Sequence, residues 1–221
     1  MSVIVYFNDI EKASAEAMAY GSSLANQLGV AVVGISSGVS ADDAKKAGQY
    51  GIQKVISLEG ANLVDGSRSE VATVLENVIN EVGGTTIVFS HSIANETIVA
   101  RLSIKLKASL ATNVIGLPDI TSGFKIRKSV YTNKAFASVE LNRDKKILTI
   151  KKNSFSFEVG EGEASVESQN ISLNEGRILV KETKKATGDI LLPEADLVVS
   201  AGRGLKGPEN WEMIEELATV L

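Results

Sequence analysis

Two places in this 221-residue chain set residues where they could do chemistry. The first is Gly202-Arg-Gly-Leu-Lys-Gly207, within the run from Asp196 to Asn210. Glycines let a backbone come close to a phosphate, a helix N-terminus offers unpaired N–H groups, and a guanidinium grips two phosphate oxygens at once. The spacing fits G-x-G-x-x-G, but the acidic residue a dinucleotide site wants about twenty positions on would fall past Leu221. Two readings stand: an anion site centred on Arg203, or a tight strand-to-helix turn with a surface arginine. The second place is His91, the only histidine, at the predicted carboxyl end of a strand, where open α/β sheets hold ligands. It has no Ser or Asp partner at motif spacing, which favours a structural or solvent-facing ring over a general base.

The remaining candidates are weaker. The pairs Asp42-Asp43 and Glu215-Glu216 fall on predicted helices, and first-turn placement accounts for the former through the helix dipole. No P-loop, HExxH or GxSxG motif occurs, and no set of metal ligands converges. The absence of cysteine excludes disulfides, thiolate nucleophiles and iron–sulfur clusters. A net charge of -4 with 5% aromatic residues argues against a nucleic-acid surface. The N-terminal Met1–Asp9 has the pattern of a strand, not a signal peptide. No apolar run approaches the ~20 residues of a membrane span, so a cytoplasmic protein without direct membrane insertion is expected.

The elements that must position these residues follow from hydrophobic period. Val3–Phe7, Val30–Ser36, Lys54–Leu58 and Thr85–Ser90 are short apolar runs of strand type. Between them lie helical stretches: Ser14–Leu28, closed by Gly29; a short helix opened by Ser40 with Asp43 and ended by Gly51; and the series Val71, Val74, Leu75, Val78, Ile79, Val82. A fourth helix, Asn95–Lys107, turns Ile98, Val99, Leu102 and Leu106 inward and Arg101 and Lys105 outward. Such alternation predicts a doubly wound, mostly parallel α/β sheet covered on both faces. From Gly123 to Val180 the pattern becomes an antiparallel β-rich extension with one wet face, with Arg143-Asp144 read as a hairpin turn before Ile147–Ile150. Lys181–Lys185 is read as a solvated charge run. Asp196–Ala201 resumes a buried strand, and Pro208 opens a final helix whose apolar face is Trp211, Ile214, Leu217, Ala218 and Leu221.

Three segments together carry a resemblance to the alpha subunit of electron transfer flavoproteins. Val198-Val-Ser-Ala-Gly-Arg-Gly-Leu-Lys206, with Pro-Glu-Asn210 after it, resembles the strand and turn that open that family's FAD domain. Arg127-Lys-Ser-Val-Tyr131 through Lys134–Val139 resembles its arginine–tyrosine segment and the small-residue strand that follows. Ala100–Leu106 leading into Leu110–Leu117 resembles a helix and strand of its first domain. Ala201 and Asn133 stand where the family commonly has glycine, and Ser92–Asn95 departs from its usual glycine-containing helix start.

The resemblance implies a Rossmann-like, adenine-nucleotide-hydrolase-like domain over 1–190 and, over 191–221, the truncated start of a C-terminal FAD-binding domain. It implies an electron carrier, not an enzyme with its own substrate. Paired with a beta subunit that carries AMP, such a subunit holds FAD and passes electrons from flavin dehydrogenases, often acyl-CoA dehydrogenases of fatty acid beta-oxidation, to a quinone oxidoreductase. It places Arg203 toward the FAD, with Gly202, Gly204, Leu205 and Lys206 around it, and this chain alone is expected to bind little or no FAD. Two rival readings are a free-standing adenine-nucleotide-binding α/β module and an NAD-dependent oxidoreductase built on the late glycine motif. Against the first, Phe7-Asn-Asp-Ile-Glu11 lacks the serine- and glycine-rich loop of a nucleotide-hydrolysing site.

Overall fold

A computed structural model describes residues 1–60, 68–171, 182, 192, 195 and 197–221. The chain divides into two compact units, Met1–Val180 and Lys181–Leu221. In the first, β1 (Ser2–Phe7) is buried along its whole length, as a central strand covered on both faces must be. Helix α1 (Lys12–Leu28) starts beside Asp9, whose Oδ1 accepts from Ser14 Oγ at 2.5 Å and Glu11 N–H at 3.1 Å. It ends at Gly29 in the left-handed region (φ 65), with the N–H of Val30 reaching back to Ala25 O at 3.0 Å. Gly21 on this helix lies against β1, where an added Cβ would run into Val5 Cγ2.

β2 (Ala31–Ser37) leads to the short α2 (Ala41–Lys45), which Ser40 caps by accepting from Asp43 N–H at 3.1 Å. A 3-10 turn (Lys46–Tyr50) ends at Gly51 (φ 86), the stop expected from sequence. β3 (Lys54–Glu59), α3 (Arg68–Val82), β4 (Gly84–Ser90), α4 (Ile93–Lys105) and β5 (Ser109–Val114) continue the alternation. Then come β6 (Lys125–Val130), β7 (Ala135–Glu140), β8 (Lys146–Ile150) and β9 (Ser165–Asn170).

All nine strands form one sheet in the order β7-β6-β5-β8-β4-β1-β2-β3-β9. The pairs from β5 through β9 in that order are parallel, whereas β5–β6 and β6–β7 are antiparallel. Pleating divides the core in two. Val3, Val5, Phe7, Val88 and Leu148 pack with Met18 and Leu24 of α1. Ile4, Tyr6, Ile87, Phe89 and Ile147 pack with Leu75 and Ile79 of α3 and with Ile98 and Leu102 of α4 on the other face. The doubly wound, mostly parallel architecture with antiparallel strands after it is the one expected.

Two local expectations are corrected. Arg143-Asp144 does not turn a hairpin. The chain leaves the β6–β7 ribbon there, and β8 enters the main sheet between β4 and β5, parallel to both. Its residues explain the choice: Ile147, Leu148, Thr149 and Ile150 are all buried, and an apolar run needs cover on both faces. Likewise β9 extends β3 in parallel.

The second correction concerns Asp196–Ala201. Its described part, 197–201, forms no strand, and Leu197 and Val198 stand 65% and 56% exposed. A strand needs a neighbour for its N–H and C=O groups, and none pairs with it among the described residues. The charge run lies outside the described residues except for Glu182, which is exposed.

The β6–β7 turn is unusual. Tyr131, Thr132 and Asn133 all have positive φ (51°, 53° and 66°), a conformation costing a non-glycine residue roughly 1–2 kcal/mol. Asparagine tolerates it best, which accounts for Asn133 at a place where glycine would be natural.

Candidate functional site

In the second unit, the glycine segment is a compact turn. Arg203–Leu205 forms one 3-10 turn and Pro208–Asn210 another, before α5 (Glu212–Val220). Pro208 therefore opens a 3-10 turn, and the α-helix proper starts four residues later. The turn is closed by its own backbone: Leu205 N–H donates to Gly202 O at 3.1 Å, Lys206 N–H to Arg203 O at 3.1 Å and Gly207 N–H to Leu205 O at 2.8 Å. Asn210 completes it, its Nδ2 donating to Leu205 O at 2.8 Å. Sequence reasoning placed Asn210 in the motif without giving it a role; its spacing of five residues from Leu205 was the available signal.

Gly202, Arg203, Gly204, Leu205 and Lys206 are thus brought together in one exposed turn, with Leu205 alone half-buried. An added Cβ at Gly202 or Gly204 would meet nothing, so the backbone there is open to close approach. Among the described residues no hydrogen bond or ion pair engages the Arg203 guanidinium. The N-terminus of α5 is not its neighbour in the way a phosphate loop requires, and Glu212 and Glu215 already occupy that helix's first turn. The cationic groups the turn presents are Arg203 and Lys206, both exposed. The apolar face of α5 is open, with Trp211 and Leu217 both exposed.

In the first unit, the strand order reverses between β1 and β4, and open α/β sheets hold ligands at the carboxyl ends beside such a switch. His91 is there, as expected, its N–H donating to Ile150 O at 3.0 Å. Its Nδ1 lies 3.2 Å from Glu96 Oε1, an ion pair when the ring is protonated but without hydrogen-bond alignment. Ser92 caps α4 by accepting from Asn95 N–H at 3.1 Å, and the buried Asn95 amide donates to Ser90 O at 2.9 Å. These contacts make His91 part of a helix start. No group of three His, Asp or Glu that could hold a metal occurs among the described residues. A cleft of about 440 Å³ lined by Leu106, Lys107, Arg143 and Lys145 shares no residue with either place.

Residues 7–175 match the electron transfer flavoprotein domain. The chain belongs to the electron transfer flavoprotein family. The chain is 27% identical over 175 residues to the electron transfer flavoprotein subunit alpha of Bacillus subtilis, covering 78% of this chain and 54% of that protein. It is 28% identical over 198 residues to the subunit alpha of Syntrophomonas wolfei, covering 87% and 61%. A probable mitochondrial subunit alpha of Caenorhabditis elegans is 26% identical over 208 residues, covering 93% and 61%. The chain therefore spans a little over half the length of these flavoprotein relatives. The Arg203 turn lies beyond the residues matched to the family domain. No helix among the described residues is long and apolar enough to cross a membrane.

Proposed function

We propose that this chain acts as an electron transfer flavoprotein alpha subunit, whose residues 1–190 form the first domain and whose residues 191–221 open an FAD domain. The observation that carries this reading is the family match across the doubly wound sheet, joined to relatives named as alpha subunits. In this reading a beta subunit holding AMP completes the assembly. Electrons enter from flavin dehydrogenases such as acyl-CoA dehydrogenases and leave to a quinone oxidoreductase, all on the cytoplasmic side. FAD, when bound, supplies the electron-accepting chemistry.

This chain's contribution is binding and electrostatics. Gly202 and Gly204 leave room for a phosphate or ring edge to approach the backbone. Arg203, unpaired among the described residues, supplies a cation that stabilises negative charge on a bound anion or reduced ring. Asn210 holds the turn in shape from behind. The fit is to an anionic group, and the glycine spacing and Arg203 are what the turn offers to it.

The test is Arg203→Ala in the assembled alpha–beta protein. Flavin retention should fall about tenfold, the worth of one charge-assisted hydrogen bond, and the midpoint potential should drop. Unchanged flavin occupancy together with an unchanged potential would remove Arg203 from the site.

A further inference from the structure

Loops at the amino ends of β5 and β8 enclose the cleft of about 440 Å³, lined by Leu106, Lys107, Asn142, Arg143, Asp144 and Lys145. It lies at the end of the sheet opposite His91. Its size is that of a small-molecule site, roughly 300–1,000 Å³. Its charge is unbalanced: Lys107, Arg143 and Lys145 stand against Asp144 alone, a net +2 in a chain whose net charge is -4.

Most of the donors on these cations are free among the described residues. The Arg143 guanidinium donates through Nη1 to Lys107 O at 3.4 Å, which leaves the rest of its fork open. Lys145 Nζ donates to Asn80 Oδ1, and the Lys107 ammonium engages no described residue. Lys146 belongs to the frame instead, its Nζ donating to Arg143 O at 2.7 Å and Asp144 O at 3.3 Å. The two loops are also tied to each other. Ser109 N–H donates to Lys145 O at 2.9 Å, and Arg143 N–H donates to Ser109 Oγ at 3.3 Å. Groups mounted on a fixed frame lose little freedom when a ligand arrives.

The backbone supplies an independent observation. Lys107 ends α4 in the left-handed region (φ 51), with its N–H donating to Ile104 O at 3.2 Å and the N–H of Ala108 to Ser103 O at 2.9 Å. At the same place after α1 and α3 the chain has Gly29 and Gly83, the usual residue for such an end. A lysine there costs stability that glycine does not. A helix C-terminus favours cations, but Lys105 already fills that role in the last turn. The dipole explains neither a lysine in the strained position nor Arg143 and Lys145, which a separate loop brings in.

We propose that this cleft binds a phosphate dianion, free or as the monoester of a small molecule. The Arg143 fork takes two of its oxygens, and Lys107 and Lys145 complete the neutralisation. A planar guanidinium matches two phosphate oxygens, and the net charge of the lining equals that of the dianion in magnitude. The site is independent of the alpha–beta reading, since neither flavin nor a partner subunit takes part in it.

NMR titration of the isotope-labelled chain with inorganic phosphate and, separately, with glycerol phosphate tests this, at constant ionic strength and mildly alkaline pH. Saturable shifts should appear at the amides of Lys107, Ala108 and Arg143–Lys145, and the tighter of the two ligands shows whether free or esterified phosphate is the better fit. Arg143→Gln should weaken Kd about tenfold, as loss of a charge-assisted hydrogen bond does. Lys107→Gly should weaken it several-fold while leaving the melting temperature of the ligand-free chain equal or higher, an opposition that a purely structural lysine would not show. Lys134→Gln, which removes one positive charge from the β6–β7 turn, should leave Kd unchanged. Malonate, a dianion without the tetrahedral oxygens, should bind about tenfold more weakly. Shifts that fail to saturate, or a Kd that Arg143→Gln and Lys107→Gly leave unaltered, would overturn the proposal. Equal binding of malonate would overturn it too, reducing the cleft to unspecific positive charge.

Discussion

Tyr20 shows how one buried atom can be left out of balance. Its ring is fully buried and meets Phe155 edge-on at 5.3 Å, yet its hydroxyl has no hydrogen-bond partner among the described residues. Burial pushes the phenol well above its ordinary value of 10.0, because the interior disfavours the phenolate. The unfolded chain ionises first as pH rises, so this residue's contribution is whole below pH 10.0 and declines above it. Tyr20→Phe removes the unpaired hydroxyl and keeps the ring. Urea unfolding at neutral pH should show a gain of about 1 kcal/mol. The variant should also lose less stability than wild type above pH 10.0. None of this was visible in sequence, where Tyr20 reads only as one more position in a helix. By contrast, the turn at Gly202–Lys206 is legible as a turn, because its glycines set the backbone locally.

At the scale of elements, Glu16 joins α1 to a segment 137 residues away. It is a carboxylate on the buried side of the helix, accepting from Asn153 N–H at 2.9 Å and from Ser154 and Phe155 N–H at 2.7 Å each. Three successive backbone donors of a partly buried segment are satisfied by one buried side chain. Glu16→Gln keeps the shape but turns an amide donor toward backbone donors. Denaturant unfolding should report a loss of about 2–4 kcal/mol.

The helices themselves were readable, since α1, α3 and α4 bury the 3.6-period positions that their sequences mark. So were the Gly29 and Gly51 stops and the Ser40 cap, which depend on neighbours within a few residues. What failed was long-range. Ile147–Ile150 looks the same whether it closes a local hairpin or fills a distant slot, and only the burial of both its faces decides. Val198–Ala201 has the composition of a strand, but strand formation depends on a neighbour that composition does not specify.

For the molecule as a whole, β8 is the strand on which the sheet's continuity depends, bridging β4 on one side and β5 on the other. Leu148 sits at its centre, opposite Val88 and Ala111, with no exposure. Leu148→Ala should cost about 2–5 kcal/mol. Because the strand links both halves, the loss should shift one cooperative transition of the Met1–Val180 unit rather than split it in two, as calorimetry and circular dichroism on the same sample would show.

That bridging position also fixes an order of events during synthesis. The ribosome delivers β4 and β5 well before β8, so a nascent chain holds two strands whose facing edges both wait for a third. Until Lys146–Ile150 emerges, those edges expose unpaired amides and apolar side chains, the surface that misassembly and chaperones both seize. Closure then joins partners about sixty residues apart in one case and thirty-odd in the other, a non-local step that makes this domain a slow folder relative to its helical content.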